Sequence, residues 1–197
     1  VEVIDLYQMH WSQPEEQIEG GWEAMAELVQ QGKVRYIGVS NFSVAQLERI
    51  AVIHPPASLQ PPYSMLRRDI EADLLPHCGE RNIGVVAYSP MQKGLLTGKF
   101  FAEHMKTLAA DDHRRNDPMF SGEAFEKNLA IVNGLGPIAE RHGKTVAQLA
   151  IAWVLRKEEV TAAIVGARKQ NQIEETVQAG DWILGEDDIA EIENILS

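Results

Sequence analysis

The sequence has 197 residues, 45% of them apolar, enough for one large domain or part of a larger one. Its net charge of −11 argues against nucleic acid as a partner, because gripping a phosphate backbone needs basic surface. A lone Cys78 excludes an internal disulfide framework and fits a reducing, cytoplasmic setting, and no apolar run approaches the roughly 18 residues of a membrane-spanning helix.

In chain order, the first element is a short apolar run, 3–9, that stops at His10. Pro14-Glu15-Glu16 then reads as a first helical turn, where Pro is tolerated and acids suit the helix dipole. Ile18, Trp22, Met25 and Val29 follow at helical spacing, and Gly32 ends the helix. A second apolar run, 34–39, stops at Ser40-Asn41. Ser43 with Gln46 forms a capping box ahead of Leu47, Ile50 and Ala51, and His54-Pro55-Pro56 closes that helix. A very short strand is predicted at 57–60. Asp69 opens a helix carrying Ile70, Leu74, Leu75 and Cys78, with Cys78 as core filler.

The fourth strand, 83–88, gives out at Tyr88-Ser89-Pro90. From Gln92 to about Phe120 the periodicity weakens, which predicts a long mobile loop. Ser121 to His142 is helical, with a break or kink expected at Gly134, Gly136 and Pro137. Thr145 with Gln148 gives a second capping box before Leu149, Ala150, Trp153 and Val154. A last strand at 161–165 precedes helices at 170–179 and 186–196.

Strict alternation of strand and helix predicts a parallel α/β sheet. Buried strands that stop at hydrogen-bonding side chains are how a (β/α)8 TIM barrel builds its active face. Such a barrel takes eight strands and about 250 residues, so five β/α units leave it incomplete. An open doubly wound sheet is the alternative, but no Gly-rich phosphate fingerprint follows any of these strands. With no linker or further repeat, residues 1–197 read as a single partial domain. It opens on a strand with no basic-then-apolar leader and no initiator Met, so the chain is expected to be truncated. Strands 3–9 and 161–165 are expected as open edges, which invite self-association. The six His residues show no metal-ligand spacing, and no G-x-S-x-G elbow of a serine hydrolase is present.

Four motifs in order carry a family resemblance: Asp5-Leu6-Tyr7-Gln8-Met9-His10; Gly32-Lys33-Val34-Arg35-Tyr36-Ile37-Gly38-Val39-Ser40-Asn41-Phe42; Tyr88-Ser89-Pro90 with Gly94-Leu95-Leu96-Thr97-Gly98-Lys99; and Ile164-Val165-Gly166-Ala167-Arg168 with Gln172 and Glu175. Over nearly its whole length the chain resembles the aldo-keto reductase family. The resemblance implies barrel strands four to eight and reversible hydride transfer between NADPH and an aldehyde or ketone. The family uses a Tyr as general acid, a Lys and an Asp that tune it, and a His that orients the carbonyl. Only the His has a counterpart, His10; the other three belong to segments this sequence does not contain. Tyr7, inside a strand, is no substitute. The chain alone is therefore expected to be nearly inactive. The alternative is a non-catalytic nucleotide-binding regulatory subunit, as some barrels of this family are.

A neutral imidazole at His10 suits donation to a substrate carbonyl oxygen, the alternative being a His that caps a strand end. Trp11 either walls the substrate pocket or covers the rim. Ser40, Asn41 and Gln60 resemble the residues that read the nicotinamide carboxamide, which offers a donor and an acceptor. With Ser43 taken up by helix capping, Asn41 is left to reach the ligand. Tyr88 offers a flat face for stacking on the nicotinamide ring. Ser89, Pro90, Met91, Gly94 and Leu95 resemble the pyrophosphate loop, where Gly94 allows close approach of the main chain; the family's usual residue at Met91 is Leu. Gly166, Ala167 and Arg168 stand at a strand-to-helix turn, where a guanidinium suits the ribose 2′-phosphate and so NADP over NAD, with Lys169 able to assist. Gln172 stands where many relatives carry Arg. Glu175 is expected on the adenine amine, beside Thr176 where many relatives have Asn.

Overall fold

Five parallel strands form one sheet in the order in which they occur: β1 (Ile4–Met9), β2 (Val34–Ser40), β3 (Ser58–Gln60), β4 (Gly84–Tyr88) and β5 (Val160–Ile164). They come from a computed structural model that describes residues 1–100 and 102–197. Each predicted strand lies within one residue of its observed limits. The residues gather into two compact units, one of Val1–Tyr63, Arg68–Tyr88 and Lys157–Ile164, the other of Ser64–Arg67, Ser89–Arg156 and Val165–Ser197.

The first unit holds the sheet with α1 (Ile18–Gln30), α2 (Val44–Ala51) and α3 (Leu74–Arg81). Side chains alternate across the pleat, so Ile37, Val39, Leu59, Val85 and Ala87 fall on one face, and all five are fully buried. Helix α1 packs on β2 and α3 on β4, bringing Trp22, Met25, Leu75 and Cys78 into the core. Burying each large apolar side chain contributes about 1.5–3 kcal/mol. On the opposite face the register partners Leu6 and Tyr36 stay 40% and 62% exposed. Strand β1 bonds β2 on one side and is otherwise a sheet edge, as is β5, in keeping with the open edges expected at 3–9 and 161–165. The helix expected from Asp69 begins instead at Leu74, where the Asp73 carboxylate accepts the Leu74 N–H at 2.6 Å; Asp69–Glu71 is a separate 3-10 turn.

The second unit contains α4 (Ala102–Thr107), α5 (Gly122–Arg141), α6 (Val146–Leu155), α7 (Gln170–Val177) and α8 (Glu186–Leu196). The predicted long loop is a correction. Residues 92–97, 113–116 and 118–120 are 3-10 turns flanking α4, wrapped on a core of Leu95, Phe100, Leu108, Phe120 and Phe125. Phe100 meets Phe120 edge-on at 5.2 Å. These anchors follow no single period, so periodicity does not reveal them; Phe101, within the same stretch, lies outside the described residues. The expected break in α5 is also absent. The helix runs through Pro137 because Phe125, Ile131, Val132, Leu135 and Ile138 bury one continuous face, which outweighs the roughly 3 kcal/mol cost of an interior proline. Among the described residues no helix is long and apolar enough to cross a membrane.

Candidate active site

In the first unit, the polar ends of adjacent strands are joined by side-chain hydrogen bonds. Asn41 follows β2 in the left-handed region, φ 61°, which Asn tolerates better than most residues. Its Nδ2 donates to the His10 carbonyl at 3.1 Å and to Ser40 Oγ at 3.0 Å, while its Oδ1 accepts from the Tyr88 hydroxyl at 2.9 Å. Both N–H groups of the Asn41 amide are thus engaged at the strand ends, and one lone pair of Oδ1 remains for a ligand. Ser40 is buried and donates to the Gln60 carbonyl at 2.7 Å, and the Asn41 N–H reaches the same oxygen at 3.3 Å. Gln60 Nε2 donates to Gln8 Oε1 at 3.0 Å. The His10 ring is exposed and stacks on Trp11, centroids 5.2 Å apart and 13° from coplanar. Trp11 is 57% exposed. His10, Ser40, Asn41, Gln60 and Tyr88 are thus brought together.

In the second unit, the segment after β4 has an unusual backbone. Ser89, Gln92, Lys93 and Gly94 all have positive φ, 58°, 44°, 54° and 102°. A non-glycine residue held there costs of order 1–3 kcal/mol, so the surroundings must fix it. Gln92 is buried and accepts from Ser64 Oγ at 3.1 Å. The Lys93 ammonium pairs with Asp117 at 2.7 Å, and Arg114 Nη1 reaches the Lys93 carbonyl at 3.4 Å. Pro90 and Leu95 are buried, and the Met91 carbonyl accepts the N–H groups of Gly94 and Leu96 at 3.0 and 3.2 Å. The Arg114 guanidinium binds both oxygens of Asp112 and holds that carboxyl well below the usual range. Burial pushes the Asp117 carboxyl up, but Lys93 and the Met119 N–H outweigh it, leaving a net lowering.

Gly166, Ala167 and Arg168 are exposed. Arg168 shares a cavity of ≈ 460 Å³ with Lys93, Asp112, His113 and Arg114. Lys93 lies within the 91–95 stretch that resembles the pyrophosphate loop, but no sequence pattern singles out its side chain or that of Arg114. Gln172 is occupied locally: its Oε1 accepts the N–H groups of Arg168 and Lys169 at 2.7 and 3.1 Å, capping α7. Glu175 accepts from Thr145 Oγ1 at 2.8 Å and lies 3.8 Å from the Lys99 ammonium. Among the described residues no group of three or more His, Cys, Asp or Glu is placed to hold a metal ion.

All of the chain, residues 1–197, matches the Aldo/keto reductase family. The chain belongs to the aldo/keto reductase family. This aldo/keto reductase is 40% identical over 194 residues to aldo-keto reductase YhdN of Bacillus subtilis, covering 98% of the chain and 58% of that relative. It is 38% identical over 198 residues to aldo-keto reductase str7 of Strobilurus tenacellus, covering 99% of the chain and again 58% of the relative. Its fold superposes on the glycerol dehydrogenase AKR11B4 of Gluconobacter oxydans with a TM-score of 0.92 at 38% identity, covering 100% of the chain and 59% of that structure. This aldo/keto reductase chain thus spans about three-fifths of the length of the relatives it matches. The five parallel strands are accordingly an incomplete (β/α)8 barrel, as the alternation of elements predicts.

Proposed function

We propose that the protein reduces aldehydes or ketones with NADPH, reversibly, and that this chain supplies His10 together with the residues that grip the cofactor. The observation that carries the reading is the hydrogen-bonded set at the strand ends, in which the Gln60 side chain retains a second Nε2 N–H and its Oε1, and Asn41 Oδ1 a lone pair, with no partner among the described residues. That donor and acceptor set fits a carboxamide. When bound, the cofactor supplies the hydride.

The chain's own residues bind and orient. Ser40 and Asn41 hold the strand ends in place, Gln60 addresses the carboxamide, and the Tyr88 ring offers a stacking face. The His10 ring donates an N–H to the carbonyl oxygen. Ser89, Pro90, Met91, Gly94 and Leu95 form the pyrophosphate loop. Gly166, Ala167 and Arg168 read the ribose 2′-phosphate; Lys93 and Arg114 line the same cavity but are paired with Asp117 and Asp112, which leaves Arg168 as the cation for the phosphate. Gln172 serves this site by capping α7, and Glu175 addresses the adenine amine through the oxygen not committed to Thr145. Trp11 borders the carbonyl substrate. Residues 1–197 act as one partial barrel domain, and the exposed edge residues Ile4, Leu6 and Ile164 support self-association.

The family's general-acid Tyr has no counterpart here, and such a group contributes about 10²- to 10⁴-fold in rate. The 197-residue chain alone is therefore expected to bind NADPH, seen by fluorescence, with little turnover of 4-nitrobenzaldehyde. No NADPH binding overturns the proposal. Weaker binding on Arg168→Ala, with NADH unaffected, tests the preference for NADP. Binding without turnover by the full-length protein selects the regulatory-subunit reading instead.

A further inference from the structure

We propose that Gln8 is a positioning residue that sets the Gln60 amide for reading the nicotinamide carboxamide; this rests on the reading of Gln60 given above. Gln8, Gly38, Ser58 and Gly84 form one row across β1, β2, β3 and β4. Gln8 on β1 nevertheless bonds β3, one strand beyond its neighbour: Nε2 donates to Ser58 Oγ at 3.1 Å, and Oε1 accepts from Gln60 Nε2 at 3.0 Å. The reach over β2 exists because Gly38 has no side chain. A Cβ there would lie 2.2 Å from Ser58 Oγ.

The result is a chain of donated hydrogen bonds with one direction, Gln60 to Gln8 to Ser58. Ser58 is buried and takes one N–H of the Gln8 amide, and in this arrangement the Gln8 oxygen faces Gln60. Gln60 must then turn its nitrogen toward Gln8, which fixes where its remaining N–H and its carbonyl oxygen point. A terminal amide is otherwise free to exchange the two ends by rotating about its last torsion. Gln8 touches neither the cofactor nor the substrate in this scheme; it acts through Gln60.

The test measures dissociation constants of the full-length protein for NADPH and for 2′-phospho-ADP-ribose, which lacks the nicotinamide, in the natural protein, Gln8→Leu, Gln60→Ala and the double variant. Gln8→Leu is expected to weaken NADPH about five- to tenfold, the scale of one net hydrogen bond, and to leave the fragment's affinity unchanged. On the Gln60→Ala background it is expected to add nothing, as for two residues acting through one contact. Equal weakening of both ligands, no weakening of NADPH, or full additivity with Gln60→Ala overturns the role of Gln8. Unchanged NADPH affinity in Gln60→Ala alone overturns the carboxamide reading, and this proposal with it. If Gln8→Leu does not fold, Ser58→Ala removes the other anchor of Gln8 and is held to the same pattern.

Discussion

The Tyr88 hydroxyl donates to Asn41 Oδ1 at 2.9 Å, joining the ends of β4 and β2, two strands that do not pair because β3 lies between them. The bond ties residues 47 apart in sequence and anchors the Tyr88 hydroxyl. Asn41 in turn holds the carbonyl of His10, so one amide links the ends of three strands.

Tyr88→Phe keeps the ring and removes the donor. The expected loss is about 1 kcal/mol of stability in urea unfolding, because Asn41 Oδ1 is left without its donor in a partly buried place. A variant as stable as the natural protein would show that water replaces the hydroxyl at no cost.

Gly38→Ala places a methyl group 2.2 Å from Ser58 Oγ and 2.9 Å from the Ser58 carbonyl oxygen, within the paired stretch of β2 and β3. The backbone oxygen cannot swing away as a side-chain tip does. Overpacking of this kind is expected to cost about 1–3 kcal/mol, read as a lower midpoint in chemical denaturation with the slope unchanged.

Asp188, in the first turn of α8, accepts from Arg141 at 2.7 Å and lies 2.8 Å from His142 Nε2. The Arg141 bond lowers its carboxyl, burial opposes this, and His142 adds to the lowering. Because the folded-state value lies below the ordinary 3.8, the stabilisation is complete above that value and is lost as pH falls through the lower folded value. Unfolding free energies at pH 7, 4 and 3 are expected to fall more steeply in the natural protein than in Asp188→Asn. Parallel curves would contradict the coupling.

Cys78 is buried on α3, and its thiol is pushed up to about 11, first by burial and then by the charge of Glu159. It is therefore a neutral thiol at pH 7.5 and a poor nucleophile. Ellman's reagent is expected to label the native protein at least ~100-fold more slowly than the urea-unfolded chain, since both access and thiolate are lacking. Rapid native labelling would be incompatible with the packing around α3.

Much of this was legible in the sequence because it is local. Apolar runs and the residues that stop them placed all five strands within one residue. The capping boxes at Ser43 with Gln46 and at Thr145 with Gln148 form as their side-chain chemistry dictates. The reading failed where tertiary packing overrides local preference. Pro137 is carried inside α5 by the face that helix buries, and the turns between Gln92 and Phe120 are ordered by an aromatic core whose members lack a common period.

The chain's own order of residues determined the β/α alternation, the strand ends and the family, because each depends on neighbours within a turn or a pleat. The tertiary structure alone decided that Asn41 is engaged by Tyr88, that Gln8 crosses Gly38 to reach Ser58, and that Arg114 stands in one cavity with Arg168. Those contacts join residues far apart in sequence. They exist only once the register of parallel strands and the folding of a segment without periodicity have set ångström-scale distances.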